Sequence, residues 1–242
     1  MTASAYDDIA EWYDSWVGAG SLRDGPFFQS VEAFLGEVDG KRICDLACVQ
    51  GRVARYLAGL GARVVGVHLS ARLLAIARRY EGSQPRAIPY VLADARNLDG
   101  IADGAFDGVV CNMALMDVAE LAPTLQSVAR ILKPNGRFVF STLHPCYNTP
   151  FSGQTTSPQG LVRTIGKYFV EGHWQSDTRA GPPGKVGAYH HTLSAYLNAL
   201  LDAGFVIERA DEPHATTDLA RRRPIWTELA AVLVLRCAKK QP

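Results

Sequence analysis

The stretch "ICDLACVQGRVARYLAGLGARVVGVHLSARLLAIARR" (43–79) holds the residues whose types and spacing bear most directly on chemistry. It reads as a strand, a tight turn "DLACVQG", a helix and a second strand ending "VVGVHLS". That is the order in which a nucleotide-binding βαβ unit presents a ligand site at the carboxyl ends of its strands. In such a unit glycines let the turn approach the ligand, and an acid about twenty residues further on accepts from the ribose hydroxyls. Here Val49 stands where a glycine is expected and His68 where the acid is expected. A second group of residues could move protons: His144 in "STLHPCY", just past an apolar strand-like run, and His190 and His191 in "AYHHTLS". An imidazole at a strand's carboxyl end is suited to take a proton from an attacking nucleophile. A capping or packing role beside Pro145 is equally open for His144, and an entry role for the helix that follows is open for His190 and His191. Tyr147, Tyr168, His173 and Trp174 lie between these histidines and could wall a flat or apolar substrate, or simply anchor their segment. The histidines and Cys146 show no tight metal-ligand spacing, so no metal is expected.

These residues need a scaffold, and the chain alternates β-rich and helical runs in the manner of a parallel sheet covered on both faces. Strands are expected at 42–47, 63–69, 89–94, 106–112 and 136–143, with helices near 51–60, 71–80 and 119–132. Pro134 and Gly136 in "LKPNG" supply the stop signal of the last helix. Residues 145–188 break the rhythm, being rich in glycine, proline and aromatic side chains and too long for an ordinary connection. A substrate lid is the natural reading. A helix over 193–204 and two strands, "FVIERADE" and "ELAAVLVLRCA", then close the sheet as an antiparallel hairpin. The triple arginine at 221–223 suits an acidic partner or a solvated loop. The expected architecture is one α/β domain over 1–242: a Rossmann-like doubly wound sheet of about seven strands, mostly parallel with an antiparallel last strand. A helical cover over 1–35 and a lid insertion at 145–190 complete it.

Composition narrows the partners. A chain of 242 residues that is 48% hydrophobic can bury one large core. The formal charge is only +1, from 25 basic against 24 acidic side chains, so no global field draws it to nucleic acid or an anionic membrane. A small-molecule partner fits better. No apolar run reaches membrane-spanning length, and "MTASAYDDIAEWYDSW" lacks the basic start and apolar middle of a signal peptide, so a cytoplasmic location is expected. Five cysteines, an odd number mostly in or beside apolar runs, are expected as reduced core thiols. Oligomeric state stays open, a homodimer included.

Taken together, "YDDIAEWYDSW", "DLACVQGR", "VVGVHLS", "LADARNLD", "FDGVVCNMALMDV", "ILKPNGRFVFSTLHPCY" and "YHHTLSAYLNALLDAGF" resemble the class I S-adenosylmethionine-dependent methyltransferases, in particular the small-molecule type with a lid after strand five. The resemblance spans nearly the whole chain. It implies S-adenosylmethionine as cofactor, S-adenosylhomocysteine as product, and transfer of a methyl group to the oxygen, nitrogen or carbon of a natural-product-like acceptor. By similarity Asp45, Ala47 and Gly51 line the methionine end, Leu69 lies against the adenine, and Asp94 accepts from its amino group with Ala95 beside it. Asn112 and Met113 flank the methionine moiety, while Tyr6 and Tyr13 close over the pocket.

Against that family the two departures carry physical weight. Valine at a position built for positive φ costs on the order of 1–2 kcal/mol if the loop keeps its shape, and its methyls are expected to intrude on cofactor space. A neutral imidazole offers one acceptor nitrogen where a carboxylate offers two oxygens, so Val49 and His68 together are expected to weaken cofactor binding. Two other functions follow if methyl transfer has been abandoned. One is a cofactor-independent cyclisation or rearrangement in the same pocket, and the other a non-catalytic pseudoenzyme that docks on an active homologue. His144 is the first choice of catalytic base, with His190 second.

Overall fold

The computed structural model describes residues 4–18, 26–158, 160–176, 181–215 and 217–240. Residues 1–3 and 19–25 of the expected cover, and 159 and 177–180 of the expected lid, lie outside the described residues. Seven strands make the main sheet: β1 (Arg42–Leu46), β2 (Arg63–His68), β3 (Tyr90–Leu92), β4 (Phe106–Asn112), β5 (Leu132–Leu143), β10 (Phe205–Asp211) and β11 (Val232–Lys239). Their order is β10-β11-β5-β4-β1-β2-β3. β11 runs antiparallel between β5 and β10, and every other neighbouring pair is parallel. The expected mixed sheet of seven strands is therefore the observed one, with the antiparallel strand inserted one place in from the edge.

The strands at the centre are apolar on both sides because helices cover both faces. On one face α2 (Pro26–Leu35), α3 (Arg52–Gly59) and α4 (Ala71–Ser83) bury Val31, Leu57, Leu74 and their neighbours against Ile43, Val64 and Val110. On the other, α5 (Leu121–Ile131) and α7 (Leu193–Asp202) bury Leu125, Val128, Tyr196 and Leu200 against Val109, Phe138 and Phe140. α5 ends where the register slips between Phe106 and Gly108, and Asn135 at φ 59° turns the chain into the regular part of β5.

α1 (Ala10–Val17) lies along α4, from Leu73 and Ile76 to Tyr80, with its preceding turn at the amino end of that helix. Asp7 fixes it there: its Oδ1 accepts from the Ser70 hydroxyl at 2.6 Å and the Arg72 N–H at 3.1 Å. Ser70 in turn caps α4 by accepting from the Leu73 N–H. An acid at a helix's amino end meets the positive end of its dipole, so this contact docks the amino-terminal segment on the sheet edge where β2 ends.

Between β5 and α7 the chain is more ordered than its composition suggests. It forms an antiparallel hairpin of β6 (Gly153–Ser157) and β7 (Gly160–Thr164), then a second antiparallel pair, β8 (Gly172–Trp174) with β9 (Ala188–His190), joined through α6 (Pro182–Lys185). α8 (Thr217–Arg222) carries part of the arginine run between β10 and β11. Cys44, Cys48, Cys111 and Cys237 are buried thiols, whereas Cys146 is exposed, against the expectation that all five belong to the core.

Candidate active site

A cavity of about 390 Å³ opens at the carboxyl ends of β1, β2 and β4, beneath the amino-terminal segment and β9. Tyr6, Tyr13, Ala47, Val49, His68, Leu69, Asp94, Ala95, Asn112 and Met113 all line it. The backbone there is held in an uncommon shape. Ala47 (φ 57°), Val49 (φ 46°) and Met113 (φ 54°) sit in the left-handed region without being glycine, a conformation that costs of order 1 kcal/mol or more per residue and persists only where its surroundings impose it. The Cys48 N–H donates to the Val67 carbonyl and the Gly51 N–H to that of Cys48, so the turn is tied to β2 as well as to its own helix. The loop thus keeps its shape around Val49.

Val49 does more than intrude. While lining the cavity, its side chain packs with Tyr6 and Tyr13 against Ala10, Leu73 and Ile76, joining the turn to the amino-terminal cover and α4. The expected intrusion into ligand space is therefore only part of its role.

Asp45 and Gly51 stand outside the lining, contrary to their expected contact with the methionine end. Asp45 is 2% exposed and lies under the turn, where it accepts a backbone hydrogen bond from Ala54 in the first turn of α3. Its Oδ2 has no partner, and burial raises its pKa to about 7. Gly51 (φ 76°) is needed because the Tyr90 phenol occupies the place a Cβ would take. Both residues shape the turn from below.

His68 is 7% exposed, and burial lowers its pKa to about 4, so the ring is neutral at neutral pH. Its Nδ1 accepts from the Ser70 N–H at 2.8 Å, which places the proton on Nε2. The expected single acceptor nitrogen is thus already used, and the ring can meet a ribose hydroxyl only as a donor. Asp94 is also engaged: Arg96 donates to both carboxylate oxygens and bridges to Glu120 at 2.8 Å. The Arg96 guanidinium holds the Asp94 carboxyl below its ordinary range.

At the other end Asn112 Oδ1 accepts from the Ser141 hydroxyl at 2.9 Å, leaving its Nδ2 as a donor. Asp117, in a short 3₁₀ turn after β4, lines the same end and accepts from the Tyr6 hydroxyl at 2.8 Å. Burial raises its pKa to about 7, offset in part by that hydrogen bond. Tyr6 and Tyr13 are pushed upward by burial and by Asp117, so both stay phenols.

The expected bases are elsewhere. His144 is buried outside the cavity lining, with Nδ1 accepting from the Cys146 N–H at 3.1 Å and Nε2 paired to Glu212 at 2.8 Å. His190 binds the Tyr168 carbonyl through Nε2 at 2.7 Å, and His191 binds that of Val118 at 3.0 Å. These imidazoles hold loops together. Of the four aromatic candidates only His173 reaches the cavity, edge-on to Tyr189 with ring centroids 5.2 Å apart. Trp174, its neighbour on β8, points to the opposite side because strand residues alternate, and borders a small separate hollow with His190. Tyr147 is buried against Ile225 and Ala231 and accepts from the Trp226 indole, while the Tyr168 hydroxyl accepts from the Leu193 N–H. Sequence reasoning passed over Asp117, Arg96 and Tyr189. For Asp117 the signal was present: an acid five residues past the end of a strand at the ligand edge.

Comparisons with known proteins bear on the family and the fold. Residues 44–140 match a methyltransferase domain family. A crystal structure of an S-adenosylmethionine-dependent methyltransferase from Mesorhizobium loti is 31% identical and superposes with a TM-score of 0.76, over 93% of this chain and 100% of that one. The chain belongs to the class I S-adenosylmethionine-dependent methyltransferases. Among curated relatives, the ubiquinone biosynthesis O-methyltransferase of Thiobacillus denitrificans is 35% identical over 105 residues. That match spans 43% of this chain and 45% of the relative, less than half of its length. A [4+2]-cyclase structure superposes with a TM-score of 0.69 over 98% of this chain and 95% of its own, and at 17% identity it attests the fold alone.

The lining fits the family's cofactor with one reversal. A donor amide from Asn112 and the Asp117 carboxyl stand at the end expected for the methionine, and Leu69 and Ala95 offer an apolar seat beside Asp94. Where the acid of a ribose site is expected, His68 offers an N–H in place of a carboxylate.

Proposed function

We propose that this protein transfers the methyl group of S-adenosylmethionine to the oxygen, nitrogen or carbon of a small, natural-product-like acceptor, with cofactor affinity reduced by Val49 and His68. The observation that carries this reading is one continuous cavity that joins the β1 turn and the end of β4 to His173 and Tyr189 of the β8–β9 pair. Oxygen is the first acceptor to try, because the Thiobacillus relative is an O-methyltransferase. When bound, the cofactor supplies an electrophilic methyl on a sulfonium. The protein's task is then chiefly to hold an acceptor in line and exclude water.

In this reading Ala47, Val49, Asn112 and Met113 seat the methionine end, His68 donates to the ribose, and Leu69, Asp94 and Ala95 frame the adenine. Tyr6 and Tyr13 cover the site from the amino-terminal segment. The 145–190 segment serves as lid, presenting His173 and Tyr189 to the acceptor, while Tyr147, Tyr168 and Trp174 anchor it. Methyl transfer from labelled S-adenosylmethionine to a panel of phenols, amines and activated carbons tests the reading. Product bearing the label is the expected result; binding without transfer to any acceptor favours a cofactor-independent or non-catalytic role.

A further inference from the structure

Charge in the cavity is unevenly shared. Among the described lining residues there are two carboxylates, and Asp94 is neutralised by Arg96. Among the described residues Asp117 has no cationic partner, and its side-chain hydrogen bond comes from the neutral Tyr6 hydroxyl. A carboxylate in a low-dielectric pocket without a counter-ion is costly in its ionised form, so such a group either stays protonated or waits for a cation. Resting on the methyltransferase reading, we propose that Asp117, held in place by Tyr6, is the counter-ion of the donor's sulfonium and the acceptor of the proton that methyl transfer releases.

The charge balance favours one residue for both roles. Before transfer, the pocket holds an ionised carboxylate and a sulfonium. An acceptor X–H then forms its X–C bond as the S–CH3 bond breaks, the electron pair of that bond stays on sulfur as a neutral thioether, and the acceptor's proton passes to the Asp117 carboxylate. Afterwards it holds a carboxylic acid and a thioether. The pair is neutral at both ends of the reaction, so no net charge is created in a half-buried site.

The groups that face Asp117 support this. Tyr6 and Tyr13 come from the amino-terminal segment, Cys111 from β4 and Tyr196 from α7, all neutral at neutral pH because burial raises them. His191 is turned to the carbonyl of Val118, next in the chain, and His173 lies across the cavity with its Nε2 against the Val186 carbonyl at 3.3 Å. Asp45, whose Oδ2 has no hydrogen-bond partner among the described residues, lies beneath the turn and outside the lining, so it does not compete for the role.

The test needs no acceptor. S-adenosylmethionine and S-adenosylhomocysteine share every group except the charged methyl-sulfonium, so their difference isolates the sulfonium. Calorimetry near pH 6.5 in two buffers of different ionisation enthalpy gives protons released per ligand bound, for the native protein, Asp117→Asn and Tyr6→Phe. The expected result is release of about half a proton or more with S-adenosylmethionine and none with S-adenosylhomocysteine. Asp117→Asn abolishes the release and weakens S-adenosylmethionine alone, by roughly ten- to a hundredfold. Tyr6→Phe keeps the release and moves it to higher pH, because the ionised form loses a hydrogen bond. Equal weakening of both ligands in Asp117→Asn, or equal release with both, overturns the proposal. Binding of neither ligand by the native protein or by Val49→Gly/His68→Asp overturns the cofactor reading itself, and this proposal with it.

Discussion

The two ends of the cavity solve the same problem in opposite ways. At the end proposed for the ribose a titratable group is neutral at neutral pH: His68 is buried, its Nδ1 is taken by the Ser70 N–H, and it offers only a donor. At the end proposed for the methionine, burial leaves Asp117 near the point of ionisation, with a phenol to steady it. The difference shows that polarity in a buried site is decided by the neighbours' donors and acceptors as much as by residue type. At neutral pH the histidine there is uncharged, and the aspartate is close to its point of ionisation.

The largest expected effect tests the ribose end. Val49→Gly with His68→Asp should tighten S-adenosylhomocysteine binding by about ten- to a hundredfold in calorimetry, since a carboxylate can accept from the Ser70 N–H and a hydroxyl together. No gain in affinity counts against the placement of the site. The Val49 change alone should alter stability little, because relief of roughly 1–2 kcal/mol of backbone strain is offset by lost packing on Tyr6, Tyr13 and Leu73.

Next in size is the pH dependence of folding, read from denaturant midpoints between pH 4 and 8. Asp45 and Asp117 have pKa values raised from 3.8 to about 7, so their contribution is full below pH 3.8 and is lost as pH rises to about 7. Asp45→Asn should therefore stabilise the protein at pH 8 and leave it nearly unchanged near pH 4. His68 acts in reverse. Its pKa falls from 6.5 to about 4, so its contribution is full above pH 6.5 and is lost as pH drops toward 4. His68→Gln should remove that acid-side loss; an unchanged profile in both variants refutes the burial argument.

A smaller effect is expected at Gly51, where an alanine meets both the positive φ and the Tyr90 phenol. A loss of about 1–2 kcal/mol in unfolding free energy is expected for Gly51→Ala. Smallest of all is Glu212→Gln. The Glu212 side chain is 56% exposed beside His144, so the change should cost under about 1 kcal/mol and leave cofactor affinity unaltered. A large drop in affinity would return His144 to the active site.

Much of the fold was legible because it is written in local pattern. The strand-turn-helix succession over 42–83 and the apolar runs of β4 and β5 read correctly, since a strand buried on both faces must be apolar throughout. The β6–β7 and β8–β9 pairs were not legible. β6 and β7 are largely exposed and have no buried apolar face to mark them, and β8 pairs with β9 only across a glycine- and proline-containing connection.

By itself, the sequence determined the family, the strand edge that holds the site, and the presence of Val49 and His68 in the cofactor motifs. It also determined most of the lining, because positions at the ends of β1, β2 and β4 follow from strand boundaries. Only the tertiary structure decided what each group does there. Which His68 nitrogen is free depends on Ser70, whether Asp117 meets a phenol depends on where residue 6 docks, and whether His144 faces the cavity or Glu212 depends on the turn after β5. Those contacts join residues up to 111 positions apart in the chain, and protonation and hydrogen-bond polarity are set by such neighbours through desolvation and partner geometry.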